Sequence, residues 1–155
     1  MKKYAKILVA ILLISLLATA LFACINPEND TSGEMTLVVI DGDDVTEYTV
    51  DLAKIPSGDS SKGLIPILDY LKAAGKLTYT SQPSTYGDYI TQVNTIIPQG
   101  NEYVAFYTSV EKDFSTDEYA KTITHKGVKC TTSGLGASSM SILDGCTVII
   151  TRGTF

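Results

Sequence analysis

The residues able to do chemistry are few. The chain has one histidine, His125, and three cysteines, Cys24, Cys130 and Cys146. A metal centre would have to draw on cysteine or carboxylate ligands, and no ligand spacing surrounds His125, which sits beside Lys126 as a solvated strand or loop residue would. The segment "SGLGASS", Ser133 to Ser139, sets glycines near serines. It makes neither a G-x-S-x-G nucleophile turn nor a phosphate loop, because no Lys follows and no strand-to-helix context exists. It is expected to be a flexible loop. "DGDD", Asp41 to Asp44, is rich in carboxylates, but a calcium loop needs ligands continuing to a distant Glu, and Val45 and Thr46 already begin a strand. A hairpin turn is expected there. Nothing marks any pair of carboxylates for hydrolysis. The expectation is a non-enzymatic chain with no metal and no resident cofactor.

Tyrosine is the exposed chemistry that remains. Tyr79, Tyr86, Tyr89, Tyr103 and Tyr107 fall within one stretch of 29 residues. A phenol ring offers a broad apolar face and a polar tip, suited to ligand stacking or protein contact. Aromatic residues also favour strands, and Tyr103 and Tyr107, two turns of alternation apart, share one face that could cover a helix. Tyr86 and Tyr89 flank Gly87, which can supply a turn displaying both rings. The candidate ligand-binding residues are Tyr86, Gly87, Tyr89, Tyr103, Phe106 and Tyr107.

The start of the chain decides where this chemistry operates. "MKKYAKILVAILLISLLATALFAC" has Lys2, Lys3 and Lys6 before an apolar run from Ile7 to Ala23. That is the layout of a secretory signal. Its end, "LFAC", resembles the lipobox of bacterial lipoproteins, which implies cleavage before Cys24 and attachment of a diacylglycerol to its thiol. Removal of residues 1–23 from the 155 leaves 132, enough for one domain. Three Lys leave with the signal, so 9 Lys+Arg face 17 Asp+Glu, a net charge of −8. Such a chain repels phosphate backbones, which argues against nucleic-acid partners. The expected location is extracytoplasmic, held to the membrane by lipid. Residues 24–34, including "INPENDTSGE", lack periodicity and form a spacer, and residues 35–155 form the domain.

The domain reads as mostly β. "MTLVVID" and "VTEYTVDL", joined through Asp41 to Asp44, predict a hairpin. In "LIPILDYLKAAGK" the apolar positions Leu64, Ile67, Leu68, Leu71 and Ala74 follow helical spacing. Pro66 fits only a first turn, and Gly75 is placed to end the helix. Strands are expected over Tyr89 to Ile97, Glu102 to Ser109 and Cys146 to Arg152, with a weaker one in "KTITHKGVKC". A hairpin, one helix packed on a mixed sheet and further C-terminal strands make an α+β, β-grasp-like outline.

With the elements in that order, the chain resembles the bacterial surface domains that share the β-grasp fold of the C-terminal domain of transcobalamin and intrinsic factor. The segments that carry the likeness are "VTEYTVDL", "ILDYLKAAG", "YGDYITQVNTI", "EYVAFYT" and "ILDGCTVIITR", from Met35 to Arg152. The family usually has a Trp in the strand matching "EYVAFYT", and this chain has none. The resemblance implies binding rather than catalysis: a soluble small molecule, with cobalamin as one candidate ligand, or else a surface protein or glycan.

Cys130 and Cys146 remain once Cys24 is assigned to lipid. An exported pair permits a disulfide, and closing a loop of roughly 15 residues gains about 3 kcal/mol in the chain-entropy picture. The alternative is two buried thiols, since Cys146 alternates with Val148 and Ile150 on the expected core face.

Overall fold

The computed structural model describes residues 27–56 and 63–155. The expected signal and Cys24 lie outside them. Among the described residues no helix is long and apolar enough to cross a membrane.

The chain begins with β1 (Glu34–Asp41) and β2 (Asp44–Asp51), paired antiparallel from Glu34↔Asp51 to Asp41↔Asp44. Gly42, at φ 64°, takes the left-handed geometry that a two-residue hairpin loop requires. One α-helix follows, α1 (Ile65–Ala73). Pro66 lies in its first turn, where no backbone donor is lost. Gly75, at φ 67°, ends it, with Lys76 N–H returning to the Leu71 carbonyl. The buried stripe is Ile65, Ile67, Leu68 and Leu71. Ala74, expected to belong to it, is exposed beyond the last turn.

β3 (Tyr79–Ser84) and β4 (Gly87–Val93) make a separate two-stranded sheet. β5 (Glu102–Thr108), β6 (Thr122–His125), β7 (Val128–Thr132) and β8 (Thr147–Thr154) complete the main sheet, in the order β2-β1-β8-β5-β7-β6. β1 and β8 run parallel at its centre, and β5 pairs antiparallel with β8. The molecule is thus a small α+β protein with one helix and a mixed sheet.

The central strands are buried on both faces, so they read as near-continuous apolar runs instead of alternating ones. On the helix side Met35, Leu37, Val39, Val104, Val148 and Ile150 meet Leu64, Leu68 and Leu71 in the main core. On the far side Val38, Ala105, Tyr107, Cys130 and Ile149 form a second, smaller cluster. That cluster exists because the sheet curls. Glu47 on the outermost strand β2 reaches the opposite edge, where its carboxylate lies 2.7 Å from His125 Nε2 on β6 and 2.8 Å from Lys126 Nζ. His125 is therefore not the solvated residue expected from sequence: only 18% of its side chain is exposed, because it joins the two edges.

Three other expectations change. The strand expected over Tyr89 to Ile97 stops at Val93, because Asn94 takes φ 48° and turns the chain, with Ile96 N–H bonding back to Val93 O at 2.8 Å. The weak strand in "KTITHKGVKC" is a hairpin, β6 and β7, turning at Lys126 and Gly127, both of positive φ. The Gly/Ser segment expected to be flexible is packed: Ala137, Met140 and Ile142 are buried in the main core. Cys130 and Cys146 are free thiols, on opposite faces of the sheet: Cys130 in the smaller cluster, Cys146 in the main core. No disulfide links them in this structure.

Candidate binding site

The turn between β3 and β4 is pinned by its own side chain. Ser84 Oγ donates to Gly87 O at 2.6 Å and accepts from Tyr86 N–H at 3.2 Å. Gly87 sits at φ 99°, and a Cβ there would lie 2.6 Å from the Cβ of Ser138. The Gly87 backbone thus lies against the Ser138 side chain, a closeness only glycine permits. Asp88 N–H donates to Ser138 Oγ at 2.8 Å and locks the two together.

That segment, residues 133–141, is held from below by a buried carboxylate. Asp113 is 3% exposed, and its two oxygens accept the backbone N–H and the hydroxyl of Ser141. Its carbonyl also accepts Gly134 N–H at 2.9 Å. Farther along, Ser133 N–H bonds to Phe106 O at 2.8 Å, and Ala137 O accepts from Leu64 N–H, at the foot of α1, at 2.8 Å. Strand, helix and loop are fixed relative to one another by these bonds.

Two adjoining hollows result. One, of about 240 Å³, is a cleft between the start of β4, the middle of β5 and the loop, bordered by Asp88, Tyr89, Phe106 and Leu135 among others. The other, of about 490 Å³, is a trough bordered by Thr85, Tyr86, Gly87, Leu135, Gly136, Ser138 and Ser139. Leu135 and Gly136 belong to both. An aromatic wall facing a hydrogen-bonded loop can hold a ligand.

The six residues singled out from sequence fare differently. Tyr86 is 89% exposed and Tyr89 50%, so both rings are displayed, and Gly87 provides their turn. Phe106 packs beside the main core and borders the cleft. Tyr103 also borders the cleft, but its ring lies across Gly153 and stacks on Phe155 with centroids 4.7 Å apart. Tyr107 is 7% exposed in the smaller cluster. Tyr103 and Tyr107 do share one face of β5, but it is the face turned away from α1; Val104 and Phe106 point toward the helix side.

Tyr79 is a core residue whose hydroxyl donates to Asp69; burial and that acidic partner push its pKa well above the ordinary phenol value. The loop residues Leu135, Gly136, Ser138 and Ser139 were not foreseen as site residues. The one signal for them was the density of Gly and Ser itself, which serves close backbone approach as readily as looseness.

A second hollow region lies at the tip of the first hairpin, bordered by Asp41, Asp44 and Thr95. Thr95 and then Arg152 hydrogen-bond Asp41 and hold its carboxyl below its usual value. Arg152 also meets Glu102 at 2.9 Å. Among the described residues no group of three or more His, Cys, Asp or Glu side chains is placed to hold a metal ion.

Comparison with protein-family models finds no match, and comparison with curated proteins finds none. Solved structures do match, 15 chains in all. One is the crystal structure of a "putative metal binding protein" from Ruminococcus gnavus, at a TM-score of 0.51 and 15% identity, covering 80% of this chain and 99% of that one. At that identity the likeness is one of fold.

Proposed function

We propose that this is a non-catalytic binding domain for a soluble small ligand, lipid-anchored through Cys24 on the outer side of the cytoplasmic membrane. The observation that carries the reading is the cleft where the Tyr86–Tyr89 turn meets the ordered loop 133–141. Binding favours such a place: an aromatic wall, little charge, and a backbone already fixed before the ligand arrives. The strand order β2-β1-β8-β5, with its parallel central pair and a helix between the first hairpin and the later strands, supports the β-grasp reading. It fits the resemblance to transcobalamin-like domains. A corrinoid such as cobalamin is then the first ligand to test, its edge seated in the cleft and its face on the tyrosines.

The metal binding named for the structural neighbour is not part of this proposal, because the described residues bring no sufficient set of donors together. The second reading is a surface module for a protein or glycan, favoured by the exposure of Tyr86 and Tyr89 beside an open trough.

Titration of cobalamin into the purified protein, followed by its visible absorption spectrum and by thermal unfolding, separates the two. The small-ligand reading expects a spectral shift and a raised melting temperature, both lost in the Tyr86→Ala/Tyr89→Ala variant with its own fold intact. If cobalamin produces neither change, the corrinoid reading falls. Unfolding of the double variant would instead show that the two rings support the β3–β4 turn.

A further inference from the structure

The trough differs in chemistry from the cleft it adjoins. No charged side chain borders it among the described residues, whereas Asp88 borders the cleft. Its polar groups are hydroxyls: Thr85, Tyr86, Ser138 and Ser139. The Ser138 oxygen accepts from Asp88 N–H at 2.8 Å, and a hydroxyl that accepts one bond keeps its own O–H as a donor. Ser139 is fixed in position because its N–H closes a turn onto Gly136 O at 2.9 Å. Tyr86, 89% exposed on a turn that Ser84 holds in place, borders the same trough.

An exposed aromatic face beside uncharged hydroxyls, with no cation among the described residues that border it, fits one kind of molecule better than others. We propose that the trough binds a neutral saccharide, the C–H face of a pyranose ring lying on Tyr86 and its hydroxyls exchanging hydrogen bonds with Ser138, Ser139 and Thr85. The aromatic face contributes apolar contact to a ligand whose rim is polar, as tyrosine does wherever one side of a contact is dry and the other wet. The pinned turn lowers the ordering cost of binding. A strongly anionic sugar is disfavoured, since the chain is itself acidic and the described residues that border the trough include no basic one. This inference rests on the binding role proposed above and names the ligand class of its outer half.

The test uses the full chain in detergent with maltotriose, cellotriose and chitotriose as probes, sialyllactose as the anionic control and cobalamin in parallel, read by calorimetry and ligand-observed NMR. At least one neutral trisaccharide is expected to bind more tightly than sialyllactose. Tyr86→Ala should weaken it by about tenfold, equivalent to about 1.4 kcal/mol, while Tyr86→Phe, which keeps the ring, stays close to wild type. Ser139→Ala should weaken it less. Saccharide binding that is unchanged in Tyr86→Ala overturns the placement. If cobalamin binds and no neutral saccharide does, the inference fails and the binding role stands; if nothing binds, the saccharide inference and the corrinoid reading both fall.

Discussion

Replacing Asp113 by Ala should destabilise the protein by about 3–4 kcal/mol. The side chain is 3% exposed, and Ser141, which gives it both a backbone N–H and a hydroxyl, is 2% exposed. Hydrogen bonds to a charged acceptor contribute about 1.5–3 kcal/mol each, and a buried donor left without a partner costs about 1–3 kcal/mol because water cannot replace it. Relief of the desolvation of the carboxylate itself offsets part of this, which brings the expectation to the stated range. That is a large share of the roughly 5–15 kcal/mol typical of one domain.

The chain has no Trp, so urea unfolding is best followed by far-ultraviolet circular dichroism. Asp113→Asn, which keeps one acceptor oxygen, should fall between wild type and Asp113→Ala. The cycle with Ser141→Ala should show a coupling of about 1–2 kcal/mol, the part of the interaction carried by the hydroxyl. A loss under about 1 kcal/mol for Asp113→Ala, or a coupling near zero, would show that Asp113 does not hold the loop and that the cleft has another support.

Gly87→Ala should be destabilising by more than about 1 kcal/mol and should displace the loop, since it combines a left-handed backbone with a collision against Ser138; amide shifts confined to the β3–β4 turn would contradict the contact. Lys126 first, then His125, hold the Glu47 carboxyl below its ordinary 4.5. A depressed carboxylate adds stability above its unfolded pKa and loses it as pH falls through the folded one, so wild type should exceed Glu47→Gln near neutral pH and converge with it in acid. A gap that persists in strong acid, or that salt leaves untouched, would refute the ionic account. Burial pushes the thiols of Cys130 and Cys146 up to about 11. In a Cys24→Ser chain both should resist a thiol reagent when folded and both should react once unfolded without reductant; one or none reacting would mean oxidation.

Legibility in the sequence followed locality. The first hairpin, the helix with Pro66 and Gly75 at its ends, and the last strand were readable because each is set by short-range pattern: a two-residue turn, a period near 3.6, an apolar β-branched run. β3 was not readable. "YTSQPS" is polar, exposed along most of its length and interrupted by Pro83, and it becomes a strand only because β4 lies beside it. The end of β4 was misjudged because the apolar spacing continues through Ile96 while the backbone turns at Asn94. The candidate site is only partly marked in the sequence. Tyr86 and Tyr89 stood out by type, whereas their partner loop declares itself only through Asp113, 28 residues before Ser141 in the chain. Composition alone cannot distinguish a glycine that allows motion from one that allows contact.

The ion pair across the mouth of the curled sheet has a consequence for solubility. An unpaired outer strand is a template on which another chain can add, and proteins that leave such a template flat and open tend to assemble into fibres. Here β2 and β6, the two strands that would serve as templates, are drawn together by the ion pairs of Glu47 with His125 and Lys126. The small sheet keeps its outer strand β3 polar and breaks its donor row with Pro83. Severing the Glu47 contact would therefore do more than loosen one domain: it would offer its neighbours a strand to join.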